Sequence, residues 1–139
     1  MSLHAIAYVS TAARDLSAGD LDRIVADSRR LNAASGITGV LLHCDGNFMQ
    51  FFEGHPEAVA ATYARIRASR LHHQVNEMMN LPVDRREFAQ WTMGFSDAGP
   101  REFLDLAAVH WDSDERVGPG RQMLQVFWRN CRTCAPAGF

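Results

Sequence analysis

The sequence predicts an α+β fold: a ferredoxin-like β-α-β-β-α-β-β sandwich, two helices packed on a mixed five-stranded sheet, plus two C-terminal helices. Three observations carry this. Short β-branched and apolar runs alternate with two longer stretches of helical periodicity. An Asp45-Gly46 pair separates two of the runs, a strong hairpin signal. The 139 residues suit a single domain, and a chain of this size buries roughly 68–70% of its unfolded surface without staples.

Each element follows from local chemistry. LHAIAYV, residues 3–9, is short and apolar and reads as a buried strand. Ser17 is placed to cap a helix, with Asp20 three residues on, close to a capping box. The helical pattern runs to about Ala34, and Gly36 stands where a C-cap belongs. ITGVLLHC (37–44) and NFMQFFEG (47–54) are the two arms of the hairpin. Pro56 opens a second helix, where its missing N–H costs nothing, and that helix ends near Ser69. A fourth strand falls within Gln74–Leu81, with Pro82 as its expected stop. DRRE (84–87) is a polar connection, and FAQWTMGFS (88–96) reads as a fifth strand. Residues 1–98 form the sandwich, and 99–139 a helical extension or cap with helices near 101–112 and 121–130.

Composition narrows the function. The formal net charge of −2 argues against a broad grip on nucleic acid or anionic membrane. No apolar run is long enough to span a bilayer, and MSLHAIAYVSTAARD lacks the features of a secretory signal. The expected location is cytoplasmic, which three cysteines suit. Cys131 and Cys134 read as free thiols on a tail. His72-His73 lacks an evident third metal ligand. The arginines near 29–30 and 65–70 read as solvated helix faces, and Glu53 and Glu57 have no convincing general-acid partner.

More informative are polar residues on apolar faces. Alternate strand residues share a face, which groups Ile6 with Tyr8, Phe48 and Phe52 with Gln50, and Trp91 with Met93 and Phe95. Along the first helix Leu21, Ile24, Val25, Ser28 and Asn32 form one stripe, with Ser28 and Asn32 polar within it. An unpaired buried amide or hydroxyl costs about 1–3 kcal/mol. Taken singly, each has an ordinary explanation as rim, exposed face or cap. Together they can satisfy one another or converge on a planar ligand.

At these residues the chain resembles the BLUF family of flavin-binding blue-light sensors. The resemblance covers about residues 3–97 and includes the Tyr of AYVS, Asn32 in LNAASGITGVL, Gln50 in GNFMQFFEG, and Trp91 and Met93 in FAQWTMGFS. It implies a non-covalent FAD, with FMN as the alternative, whose ring lies between the two helices over the sheet. It also implies roles for individual residues. Tyr8 would be the electron and proton donor, and Gln50 would bridge the Tyr8 hydroxyl and the flavin edge. Asn32 would bind the ring carbonyl region, with Ser28 nearby. Ile24 and Ile66 would sandwich the ring, Arg65 would face the ribityl-phosphate end, and His72 would lie beside the cofactor. Trp91 and Met93 would relay the signal. Leu31 and the sequence Ser69-Arg70-Leu71-His72 depart from the family's usual polar residues at the phosphate and ribose end.

The implied protein is a photoreceptor and not an enzyme, reporting to a separate effector protein and forming a homo-oligomer. Two alternatives stand beside it. One is a BLUF-like interaction module without photochemistry. The other is a small ferredoxin-like hydrolase, which would need an oxyanion site for which no local motif is present.

Overall fold

The structure, a computed structural model, describes residues 2–12, 17–44, 46–69, 72–89 and 91–97. The expected C-terminal helices, the extension 99–139 and the Cys131–Cys134 pair lie outside these residues. The elements are β1 (Leu3–Ala12), α1 (Ala18–Ser35), β2 (Thr38–Cys44), β3 (Asn47–Gly54), α2 (Pro56–Ala68), β4 (His72–Val83) and β5 (Gly94–Asp97). The sheet order is β4-β1-β3-β2-β5. In the first four strands of that order each neighbouring pair is antiparallel, and β5 runs parallel to β2.

Local signals set the boundaries of α1. Ser17 Oγ accepts from the Asp20 amide and Asp20 Oδ2 accepts from the Ser17 amide, each at 3.1 Å, a complete capping box. A cap of this kind contributes about 0.5–2 kcal/mol. Gly36 ends the helix in the left-handed region, φ 69°, where a side chain would be strained. In the hairpin Gly46 takes φ 81°, and Cys44 pairs with Asn47. Pro56 occupies the first turn of α2.

The sheet separates two cores. On one face Ile6, Tyr8 and Phe52 pack against Val59 and Tyr63 of α2, while Leu41 and Phe48 pack against Val25 of α1. Both helices therefore cover the same face. The opposite face carries Ala5, Ala7, Val40, Leu42, Met49, Phe51 and Met79, with Phe88 and Trp91 packed among them.

Three expectations are corrected. Pro82 does not stop β4, which continues to Val83 with Pro82 opposite His4. The strand is at the edge of the sheet, with β1 on one side only, where proline is tolerated. The fifth strand is only Gly94–Asp97. The described residues before it, 88–89 and 91–93, are not strand, and the Trp91 amide turns back to the Phe88 carbonyl at 2.9 Å. Period-two alternation therefore does not apply there, and Trp91 and Met93 do not share a face. Trp91 joins the far core, while Met93 packs with Leu41 and Phe48 on the helix side.

Gly39 explains how that segment docks. Its amide donates to the Trp91 carbonyl at 2.9 Å. A Cβ at this position would lie 2.0 Å from the Phe51 carbonyl oxygen and 2.8 Å from Phe52 Cα. Both are backbone atoms of the neighbouring strand and cannot swing aside. Gly39→Ala is accordingly expected to destabilise by at least the ~1–3 kcal/mol typical of overpacking, read from the chemical-denaturation midpoint.

Candidate functional site

Between α1, α2 and the sheet lies a cavity of about 250 Å³. From α1 come Ile24, Asp27, Ser28, Leu31 and Asn32; from α2 and its end, Thr62, Arg65, Ile66 and Ser69; from the sheet floor, Tyr8, Leu41, Phe48 and Gln50. Seven expected site residues thus meet here: Tyr8, Ile24, Ser28, Asn32, Gln50, Arg65 and Ile66. His72 begins β4 opposite Ala12, and its side chain is outside the described residues. Trp91 does not line the cavity. Met93 adjoins it through Gln50.

Tyr8 and Gln50 face each other directly across the β1–β3 ladder, and the Tyr8 hydroxyl donates to Gln50 Oε1. The other end of the amide, Nε2, points at Met93 Sδ at 3.8 Å. Tyr8 sits beside a bulge: Ala7 pairs with Met79 but Tyr8 with Glu77, so β4 carries one residue more there. Bulges bend a strand and re-aim side chains. The Tyr8 ring lies 6.4 Å from Phe52, edge-on, and 6.2 Å from Tyr63. Burial, with a smaller contribution from Tyr63, pushes its phenol well above the ordinary tyrosine range. Tyr8 is therefore a neutral hydrogen-bond donor at any physiological pH.

Asn32 is 2% exposed and its Nδ2 donates to the Thr92 carbonyl at 2.7 Å. Arg29 Nε donates to the Met93 carbonyl at 2.9 Å. These bonds tie α1 to the segment before β5. Asn32 thus has a backbone partner besides lining the cavity.

Thr62 and Glu53 show what local sequence patterns leave out. Thr62 is 2% exposed and presents a hydroxyl to the cavity from α2. Its spacing of four from Ile66 was the available signal. Glu53, for which the sequence offers no general-acid partner, is fully buried, and its carboxylate accepts from the Glu87 and Phe88 amides and the Thr38 hydroxyl. Burial raises its pKa, Glu87 adds to the rise, and those three donors oppose it. Donors 34 and 35 residues away in sequence left no local trace.

The cavity suits a flat ring system. Branched aliphatic side chains, Ile24 and Ile66, stand on the two helices, and neutral donors and acceptors from Tyr8, Ser28, Asn32, Gln50 and Thr62 are set among them. Among the described residues no three His, Cys, Asp or Glu side chains form a metal cluster. Nor is any helix among them long and apolar enough to cross a membrane.

Comparison with known proteins agrees with this geometry. Residues 3–94 match the family described as BLUF, sensors of blue-light using FAD. The chain is 38% identical over 93 residues to photoactivated adenylate cyclase subunit beta of Euglena gracilis, covering 66% of this chain and 11% of that protein. The chain thus spans about a tenth of the length of the curated relatives it matches. Among solved structures it is similar to the dark state of BlrB, a BLUF protein, at TM-score 0.68 and 28% identity over 76% of this chain and 79% of that one. It is also similar to Klebsiella pneumoniae BlrP1 with FMN and cyclic diGMP, at TM-score 0.66 and 26% identity over 99% of this chain and 32% of that one. With the match covering about two-thirds of its residues, the chain belongs to the BLUF family of blue-light flavin sensors.

Proposed function

We propose that this protein binds FAD non-covalently in the cavity between α1 and α2, and that light rearranges a Tyr8–Gln50–flavin hydrogen-bond network. The observation that carries the reading is the Tyr8–Gln50 hydrogen bond on the cavity floor, with the far end of the same amide against Met93. Bound there, a flavin supplies blue absorption and, once excited, a strong oxidant. The rest is done by the chain's own groups.

Tyr8 holds its proton on Oη and can release an electron and that proton. Gln50 has an acceptor and a donor end, so rotation or tautomerisation exchanges what it offers to each neighbour. In the present arrangement Nε2 donates towards Met93 Sδ, a weak acceptor. After exchange an oxygen lone pair faces that sulfur, and the contact loses its attraction. Met93 then shifts, and with it the backbone that Asn32 and Arg29 hold at residues 92 and 93. Light thereby changes the protein's surface with no net chemistry.

Ser28, Asn32 and Thr62 would bind the ring's polar edge, Ile24 and Ile66 its faces, and Arg65 the phosphate side; His72 completes the set implied by the resemblance. FAD is favoured over FMN by the family's description. The readout is proposed to pass through Met93 and Trp91 to a separate effector protein, in an oligomer of the chain. The relatives support a division between sensing and output, since the matched segment is a small part of each.

The protein is expected to purify yellow, to release flavin on acid precipitation, and to show a modest, dark-reversible red shift of the flavin bands under blue light. Chromatography of the supernatant distinguishes FAD from FMN. Protein expressed with excess flavin that releases none would overturn the assignment.

A further inference from the structure

Gln50 and Glu53 are three residues apart on β3, so they project from opposite faces of the sheet. Each holds one end of the same downstream segment. On the cavity side Gln50 Nε2 meets Met93 Sδ at 3.8 Å. On the far side the Glu53 carboxylate takes the Glu87 amide at 2.8 Å on Oε1, and the Phe88 amide at 2.7 Å and the Thr38 hydroxyl at 3.0 Å on Oε2. Arg86 closes the cluster from outside, donating to Thr38 Oγ1 at 3.0 Å and the Glu53 carbonyl at 3.4 Å. Phe88 then fixes Trp91 twice, through the 2.9 Å bond from the Trp91 amide to its carbonyl and through ring stacking at 5.8 Å and 30°.

We propose that Glu53 is the positioning residue that converts a change at Met93 into a displacement of Trp91. It rests on the reading above that light alters the Gln50–Met93 contact. A segment gripped at one end and pushed at the other must deform between them, and Trp91 lies between them. Released at Phe88, the segment shifts as a unit and the push dissipates. Hydrogen bonds from two amides to the two oxygens of one buried carboxyl group, with a hydroxyl added on Oε2, make the grip stiff. Glutamine has one acceptor oxygen and turns an NH₂ towards donors, so it breaks the clasp with little change in shape.

The test uses the full flavin-loaded chain. The absorption difference under blue light reports on Gln50. The indole N–H resonance of Trp91, assigned among the three tryptophans by Trp91→Phe, reports on the relay. Glu53→Gln is expected to retain the red shift and to lose at least about fivefold of the light-induced displacement of that resonance, within the range by which residues on a coupling route act. Thr38→Val removes one donor without a change of shape and should lose about half of the displacement. An undiminished Trp91 displacement in Glu53→Gln overturns the proposal. If Glu53→Gln does not fold, an undiminished displacement in Thr38→Val overturns it alone. So does an unsubstituted chain that shows the red shift with no Trp91 displacement. An unsubstituted chain without the red shift overturns the light-switch reading instead.

Discussion

Tyr8→Phe is expected to purify with flavin and to show no blue-light red shift. The substitution removes one oxygen and leaves the ring packed against Phe52 and Tyr63, so the cavity keeps its shape. What is lost is the transferable proton and the donor to Gln50 Oε1. Gln50→Leu tests the same network from the other side, removing the exchangeable amide while filling a similar volume. It too should bind flavin and lose the shift. The two together separate a defect in the donor from one in the switch, because transient spectroscopy should still detect oxidation of Tyr8 in Gln50→Leu but not in Tyr8→Phe. A normal reversible shift in either variant would sink the mechanism.

Phe51→Ala carries the largest expected cost in stability. Phe51 is fully buried on the far face, one residue along β3 from Gln50. Its ring meets Phe88 edge-on at 5.4 Å, and Phe88 stacks on Trp91. Truncating a buried phenylalanine costs about 3–5 kcal/mol, a large share of the ~5–15 kcal/mol that holds a domain together. The expected result is a fall of that size in unfolding free energy, measured by urea titration with an unchanged slope. A loss below about 1 kcal/mol would mean that the far core is not packed around this ring.

The same strand therefore serves two cores. Its even-numbered residues Phe48, Gln50 and Phe52 face the helices, and its odd-numbered residues Met49, Phe51 and Glu53 face away. Photochemistry is proposed on one side and anchoring of the readout segment on the other. A single backbone joins them at a separation of three residues.

Much of this was legible in the sequence. The Ser17–Asp20 cap, the Gly36 stop, the turn at Gly46 and Pro56 at a helix start are short-range devices whose chemistry is complete within a few residues, and each stands where it was read. Polar residues on apolar stripes marked the cavity for the same reason: a helix or strand period fixes which side chains share a face before the chain has folded. Tertiary structure alone decided what distant segments do to one another. Pro82 is tolerated because β4 is an edge strand, which depends on sheet order. Trp91 and Met93 part to opposite faces because a turn at Phe88, fixed by Glu53 and Gly39, replaces the strand that the apolar run suggested. The anchoring role of Glu53 has no local signal because its two amide donors lie more than thirty residues away. Periodicity reports what a segment can bury, but the partner it finds is settled only when the whole sheet has assembled.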